Sequence, residues 1–157
     1  MRDWRLLAGI VMFATTPGTA NEDLDAAFAR DVLIIQASEF ACHRFDIYVA
    51  ENDIQRRRGL MFVRDMAPMT GMLFVYDRSD YVAMWMKNTF IALDMLFVRA
   101  DGTVASVAHN TEPQSLRSVA SKEPVKFVLE LNAGTAARLF IDENSRIHWE
   151  RAHGTDE

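Results

Sequence analysis

The feature that most constrains the fold is a two-residue alternation of apolar and polar side chains. Every second residue is apolar in the segments 44–49 and 125–131. Successive side chains of a β-strand point to opposite faces, so this period predicts strands with one face in the core. In the second strand the pattern places Lys126, Val128 and Glu130 on the outward face, where a surface ion pair is the simplest role for Glu130.

Six further segments have the length and composition of strands. Leu93–Val98 is apolar on both faces except for Asp94, and the Asp101-Gly102 pair, a strong hairpin signal, joins it to a return strand at 103–109. The remaining strand candidates are 32–37, 72–76, 81–86 and 146–150.

Two short segments are predicted to be helical. The first, 53–58, has an N-cap at Asn52 or the next residue, and Gly59 just past its end can adopt the positive φ that stops a helix. The second, 133–139, follows Asn132 as its cap. Many short strands with two short helices predict a mainly β domain, a compact β-barrel-like or sandwich fold whose helices cover ends or edges.

The first twenty residues have the three parts of an export signal. Two early arginines precede an apolar run at 6–14, and a small-residue stretch ends at Ala20. The run is far shorter than the ~20 residues that span a bilayer. We therefore expect a signal peptide over 1–20 that is cut after Ala20, release into the periplasm or the medium, and a single domain over 21–157 with its core at about 32–150.

The charge balance limits the partners. Beyond residue 20 the chain keeps 15 basic and 21 acidic side chains. A net negative charge opposes binding to nucleic acid or to an anionic membrane surface. No later apolar stretch approaches membrane-spanning length. We expect no nucleic-acid partner and no stable membrane insertion after cleavage.

Two features have open roles. Cys42 is the sole cysteine, so it cannot form an internal disulfide and is expected to be a packed or surface thiol. The segment 110–124 is polar and aperiodic and contains two prolines. It is either a lid or binding loop, or a surface excursion.

A family resemblance rests on four ordered blocks, followed by the Asp101-Gly102 turn, Val128–Leu131 and Gly134. The blocks read Arg58-Gly59-Leu60-Met61-Phe62, Gly71-Met72-Leu73-Phe74, Trp85-Met86-Lys87-Asn88-Thr89 and Leu93-Asp94-Met95-Leu96-Phe97. From about Phe45 to Ile147 the chain resembles the domain of unknown function 192 family, also called uncharacterised protein family 0127. The resemblance implies a compact β-barrel-like or sandwich fold, commonly behind an export signal, and it implies no established reaction.

The third block is the strongest candidate for a binding site. The indole of Trp85 stands close in sequence to the amine of Lys87. Asn88 and Thr89 add an amide and a hydroxyl, and such a mixture of aromatic and polar groups is typical of ligand sites. Alternatively, Trp85 belongs to the core, Lys87 is solvated, and the two polar residues satisfy backbone groups of a turn.

Asp94 is the one carboxylate in a segment that is otherwise apolar on both faces. A buried unpaired charge would cost several kcal/mol, so Asp94 needs a partner. The candidates are Lys87, Arg58 and the backbone N–H groups of the turn 87–89. Held by turn amides, Asp94 is a structural organiser; facing a cleft with Lys87, it is a general base or a ligand contact.

Three consecutive arginines end the first predicted helix, where cations suit the helix dipole. We expect Arg56 and Arg57 to be solvated. Arg58 lies in the first block of the resemblance and can reach Glu130, Asp94 or an anionic ligand.

Seven of the nine methionines lie between Met61 and Met95. Outside the cytoplasm, clustered thioethers can bind Cu(I), which favours soft sulfur ligands. Methionine also fills irregular cores, which is the alternative. The candidate copper ligands are Met66, Met69, Met72, Met84 and Met86.

No familiar enzyme motif is present, and nothing indicates a cofactor. A nucleophile elbow, a paired-histidine metal motif and a phosphate-binding loop are all absent from the sequence. The leading hypothesis is an exported β-rich module that binds a small molecule, a polysaccharide or an envelope partner. Its candidate site combines Arg58, Trp85, Lys87, Asn88, Thr89, Asp94 and Glu130. The alternatives are a periplasmic Cu(I)-binding protein and an enzyme with acid–base chemistry at Asp94 and Lys87.

Overall fold

The computed structural model describes residues 20–151, with side chains from residue 22 onward. The predicted signal peptide therefore lies outside the described residues, apart from Ala20. The helices are α1 (Ala20–Ala27), α2 (Asp53–Arg58) and α3 (Thr135–Arg138). The strands are β1 (Ala29–Ser38), β2 (Ala41–Ala50), β3 (Thr70–Asp80), β4 (Ala83–Met84), β5 (Leu93–Val98), β6 (Val104–Thr111), β7 (Val119–Ala120), β8 (Val125–Asn132) and β9 (Arg146–His148).

Seven strands form one sheet in the order β6-β5-β8-β3-β2-β1-β9, and β4 pairs with β7 in a second, two-stranded sheet. Neighbouring strands are antiparallel except β2 and β3, which run parallel across the connection that holds α2. The large sheet curls into a half-barrel, because a bridge between Thr103 and Arg146 brings its two ends together. The predicted mainly β, barrel-like fold is confirmed.

Both faces of the large sheet are buried. The first core includes α1, which the sequence did not predict, and its members include Leu24, Phe28, Met72, Phe74 and Val128. The second core lies on the other face and includes Leu33, Phe45, Leu73, Leu129 and Ile147. From the sequence, one face of each strand is expected to meet the core and the other to meet solvent. Because both faces of this sheet are covered, the alternation does not tell which strand residues are exposed.

Local signals predicted several elements correctly. Phe45, Ile47 and Val49 are buried along β2, and the hairpin between β5 and β6 turns at Gly102. Helix α2 has the predicted bounds, and Asn52 caps it by accepting a hydrogen bond from the backbone N–H of Gln55.

Three other predicted elements have bounds that differ from those in the structure. Helix α3 begins at Thr135 after Gly134, whereas Asn132 ends β8 and donates its side-chain amide to the Met66 carbonyl at 2.8 Å. The segment 81–86 contains only the two-residue β4. The segment 110–124 is partly ordered as strand, because β6 extends to Thr111 and β7 pairs with β4.

Cys42 is an exposed free thiol on β2, one of the two expected states. None of the helices within residues 20–151 is long and apolar enough to cross a membrane.

Candidate functional site

A cleft of about 540 Å³ opens between α2 and the segment around β4, on the sheet face that carries the first core. Its apolar lining comes from Leu60, Met61, Phe74, Ala83, Met84 and Trp85. Its polar lining comes from Asp53, Arg56, Arg57, Arg58, Tyr76, Thr89 and Glu130. Small-molecule sites are usually concave, with apolar walls and polar groups that fix the orientation of the ligand; this cleft has both, with an unusually large polar share.

Helix α2 presents its arginines to this cleft because both of its ends are fixed. The side chains of Asn52 and Gln55 form a reciprocal capping box at the N-terminus. At the other end Gly59 has a φ of 48°, and a Cβ there would lie 3.1 Å from the ring of Phe74. Gln55 also donates its side-chain amide to the Ala27 carbonyl at 3.0 Å, which ties α2 to α1.

Arg56 is anchored rather than solvated, contrary to the sequence-based expectation. Its Nη1 donates to the carbonyls of Glu51 and Val75 at 2.6 and 2.7 Å, and its Nη2 donates to Asp53 Oδ1 at 2.7 Å. The guanidinium also lies 5.4 Å from the centre of the Tyr76 ring. With 16 % of its side chain exposed, Arg56 links α2 to β3 and has few donors left for a ligand.

Arg57 and Arg58 are less constrained. Arg57 is exposed, as predicted, and lies 3.8 Å from Asp53 Oδ2. Arg58 donates from Nη2 to the Asp23 carbonyl at 3.1 Å and lies over the Phe28 ring. Its contacts are therefore with α1 and the residue that follows it, and not with the predicted acidic partners. Both guanidinium groups line the cleft and make it attractive to anions.

Glu130 is buried, and its predicted outward position was wrong. On β8 it pairs with Met72 of β3 and Met95 of β5, both fully buried, because the first core covers this face. Only 4 % of Glu130 is exposed, and it lines the cleft. Within residues 20–151 its carboxyl group has no hydrogen bond or ion pair, and its oxygens open to the cleft, since no fully enclosed side-chain oxygen or nitrogen lacks a partner. Burial raises the pKa of Glu130 to about 8, so the group is mostly protonated at neutral pH.

Tyr76 completes the inner part of the cleft, and the sequence reasoning missed it. Its hydroxyl lies 3.6 Å from Met84 Sδ. Burial raises the pKa of Tyr76 to about 12, with Arg56 lowering it and Glu130 raising it further. The phenol is therefore a neutral donor over the physiological range. The sequence contained a signal for this residue. Tyr76 lies two residues after Phe74 on the same strand, so the two side chains point to the same face of the sheet.

The residues of the block 85–89 have two different locations: some line the cleft and others form the turn beside it. Trp85 is 51 % exposed and lines the cleft, and Lys87 lies outside the lining with Nζ 5.2 Å from the centre of the indole. Thr89 is buried and lines the cleft. Asn88 has a φ of 57° and its carbonyl accepts from the Phe62 N–H at 2.8 Å, so its role is in the turn.

Asp94 is a structural organiser, but its partners differ from those expected. It is fully buried and accepts from the backbone N–H groups of Asn110 and Ala136, both at 2.9 Å. These amides come from the end of β6 and the start of α3. Lys87 is exposed over Trp85, so the two residues do not form the acid–base pair of the enzyme hypothesis.

The candidate copper ligands are divided between the two cores. Met66, Met72 and Met86 are buried in the first core, and Met84 packs against it. Met69 packs against the second core on the opposite sheet face, so the five sulfur atoms do not form one site. Among the described residues, no group of three His, Cys, Asp or Glu side chains is placed to hold a metal ion.

The carboxyl group of Glu130 should give the protein a distinct pH-dependent stability. Between its ordinary pKa of 4.5 and about 8, the native state keeps a proton that the unfolded chain loses, so the free energy of unfolding falls as pH rises. Glu130→Gln removes this effect. The free energy of unfolding is measured with urea at pH 5 and at pH 8. Its decrease between these two pH values should be smaller in the variant than in the wild type by about 3–4 kcal/mol.

The exposed Glu143 supplies the control for this measurement. Glu143→Gln should keep the pH dependence of the wild type. Equal slopes in the wild type and Glu130→Gln would show that Glu130 already ionises near its ordinary pKa in the folded protein.

The comparisons with known proteins point to one family. The model of the family DUF192, described as "Uncharacterized ACR", matches residues 33–149. No curated protein matches the chain.

Two solved structures share the fold. One, from Sinorhizobium meliloti 1021, is described as a "putative transcription regulator"; it is 40 % identical, and the match covers 78 % of this chain and 95 % of that chain with a TM-score of 0.76. The other is a protein of unknown function from Novosphingobium aromaticivorans DSM 12444. It is 31 % identical, and the match covers 76 % of this chain and 85 % of that chain with a TM-score of 0.74.

Proposed function

We propose that this chain, which belongs to the domain of unknown function 192 family, is an exported domain that binds a small organic molecule in its cleft. The observation that carries the proposal is Glu130, a largely buried side chain whose carboxyl group has no hydrogen-bond partner in the described chain and opens into the cleft. Burying such a group costs folding free energy that an apolar residue would not cost. Residues that oppose stability in this way concentrate at functional sites.

The shape of the cleft favours a small molecule over a polysaccharide or an envelope protein. Its volume of about 540 Å³ is within the usual range for sites that enclose drug-sized ligands. Phe74 and Met84 supply apolar walls, and the half-exposed Trp85 supplies an aromatic edge.

Export is compatible with the position of α1. A cut after Ala20 removes only the first residue of the helix and keeps Leu24 and Phe28, which are both buried in the first core. We expect N-terminal sequencing of the protein from a periplasmic fraction to begin at Asn21. A start at Met1 in that fraction would contradict the proposed cut.

Nucleic-acid binding is not favoured for this chain. Its formal net charge is −5, and affinity for DNA comes mainly from cationic side chains that neutralise phosphates. The description of the Sinorhizobium meliloti protein as a regulator therefore supports no DNA-binding proposal here.

A ligand screen tests the proposal with matched aromatic variants. Small organic acids, amines, neutral compounds and oligosaccharides are screened by thermal shift, and hits are titrated by calorimetry. Trp85→Ala should weaken binding of a hit by about tenfold, because a stacked aromatic side chain contributes about 1–1.5 kcal/mol. Its melting temperature without ligand should change little, since half of Trp85 is already exposed.

Tyr81 is the control, because it is an exposed aromatic residue outside the cleft lining. Tyr81→Ala should bind the hit as the wild type does. A complete absence of small-molecule hits, or hits that are insensitive to Trp85→Ala, would contradict a ligand site in this cleft.

A further inference from the structure

We propose that the ligand is a small organic carboxylate with an apolar body and a neutral carbonyl at its far end, and that Glu130 binds this carbonyl by donating a hydrogen bond from its carboxylic acid. The inference rests on the proposed function, since it names the ligand class of the same cleft. It assigns the anionic end to Arg57 and Arg58, and the neutral end to Glu130.

The cationic mouth selects the charge of the ligand. Arg57 and Arg58 line the cleft from the last turn of α2 and retain guanidinium N–H groups that no described residue accepts from. A planar guanidinium binds a carboxylate through two parallel hydrogen bonds. Asp53, the other acidic residue of the lining besides Glu130, accepts from Arg56 at 2.7 Å, so it is already paired. The mouth therefore favours an anion over an amine.

The inner part of the cleft selects a neutral acceptor. Glu130 is buried beside apolar residues and is protonated at neutral pH, so it presents an O–H donor and no full charge. A carboxyl group without a partner gains most from an oxygen that accepts this proton in a hydrogen bond. A carbonyl satisfies it without bringing a second charge into the apolar interior.

The walls between these two ends fix the middle of the ligand. Phe74 and Met84 line the cleft, and the indole of Trp85 forms part of its edge. The walls that these side chains form are carbon and sulfur apart from the indole N–H. An aliphatic or aromatic body fills such a space, whereas a polyhydroxylated sugar would leave hydroxyl groups without partners there.

Protonation of Glu130 then controls affinity. The charged and titratable groups that share the cleft with it are Tyr76 on β3 and Asp53, Arg56, Arg57 and Arg58 on α2. Hydrogen bonding to Arg56 holds the pKa of Asp53 below its usual range, and the pKa of Tyr76 is about 12. Arginine stays charged throughout. A change in binding near pH 8 therefore reports on Glu130.

Three sets of isosteric probes test the ligand class by calorimetry on the mature protein. The first is a series of oxo-carboxylates of increasing chain length, together with 4-acetylbenzoate. In the second the carbonyl is replaced by an apolar branch, as in 4-isopropylbenzoate; in the third the carboxylate is replaced by methyl, as in 4-methylacetophenone. We expect the first set to bind about tenfold more tightly than either of the others.

The pH dependence tests the role of Glu130. Affinity for the best oxo-carboxylate should be constant between pH 6 and pH 7 and should fall about tenfold between pH 7 and pH 9, as the donor is lost. Glu130→Gln should retain binding and show no such fall, because its amide N–H can donate to the carbonyl at every pH. A merely structural role of Glu130 would not produce this pair of results.

Matched arginine variants test the mouth. Arg57→Gln should weaken the oxo-carboxylate about fivefold and reduce the salt dependence of binding. Arg138→Gln is the control, because Arg138 is exposed on α3 outside the cleft lining, and it should have no effect.

The results of these experiments distinguish a failure of the proposed ligand class from a failure of the proposed small-molecule site. Binding that is sensitive to Trp85→Ala but indifferent to the carbonyl or to pH would overturn the inference and leave a ligand site in place. An amine that binds more tightly as pH rises would do the same, since it would pair with ionised Glu130. If no probe and no compound of the wider screen binds, both proposals fail.

Discussion

Asp94→Ala should lower the free energy of unfolding by about 3–5 kcal/mol. The carboxylate is fully buried and accepts from the backbone N–H groups of Asn110 and Ala136, both at 2.9 Å. Alanine leaves both amides without an acceptor and opens a small cavity. Because the two amides belong to β6 and α3, their loss also loosens the contact of both elements with β5.

Urea unfolding of three variants measures this effect. Asp94→Asn keeps one acceptor but turns an NH₂ group toward the second amide, so its loss should lie between those of the wild type and alanine. Asp101 is the control, since its exposed carboxylate accepts from the single amide of Thr103 at 2.9 Å. Asp101→Ala should cost about 1 kcal/mol. A cost of Asp94→Ala no greater than that of the control would contradict the assigned role.

Gly102→Ala should cost about 4 kcal/mol of stability. The turn between β5 and β6 holds Gly102 at a φ of 88°, which disfavours any side chain. A Cβ there would also lie well inside van der Waals distance of the Ile147 carbonyl oxygen. The Gly102 carbonyl accepts from the Ile147 N–H at 2.8 Å, so the turn cannot move away without losing a hydrogen bond that helps to close the half-barrel.

Gly134 provides a control with the same backbone constraint and no crowding. Its φ is 79°, and a Cβ there would meet nothing within 4 Å. Gly134→Ala should therefore cost only about 1 kcal/mol, the conformational part of the effect. The comparison is made by thermal and urea unfolding of both variants. Equal costs at the two positions would show that the contact with Ile147 does not limit residue 102.

The sequence predicted only some of the residues that line the cleft. Trp85, Thr89, Arg58 and Glu130 were named as candidate ligand residues, and all four line the cleft. Three others, Lys87, Asn88 and Asp94, lie outside its lining, because the chain between them turns and enters the sheet. The Tyr76 side chain was missed, since nothing in a single strand shows which of its aromatic residues meets open space.

The arginine run shows why such assignments fail. Sequence alone treated Arg56 as solvated, yet its Nη1 donates to the Val75 carbonyl at 2.7 Å. The Val75 carbonyl follows the last β2–β3 pair, Ala50 with Phe74, and the same Arg56 nitrogen also donates to the Glu51 carbonyl. Where this pairing ends depends on two strands outside the helix, so no property of residues 56–58 could reveal it.

The sequence by itself determined the elements whose causes are local. The two-residue period predicts β2, the cap at Asn52 predicts the start of α2, and the Asp101-Gly102 pair predicts the turn between β5 and β6. Each depends on neighbours a few residues away, and the blocks shared with the family extend the prediction to the fold class.

Only the tertiary structure decided what the polar residues do. Glu130 occupies a strand position that reads as outward, but α1 and the first core cover that face, so the same carboxyl group becomes a buried acid beside a cleft. Asp94 meets an amide 42 residues away in the chain. Burial and hydrogen bonding are set by contacts between distant segments, and the spacing of residues along one segment does not determine those contacts.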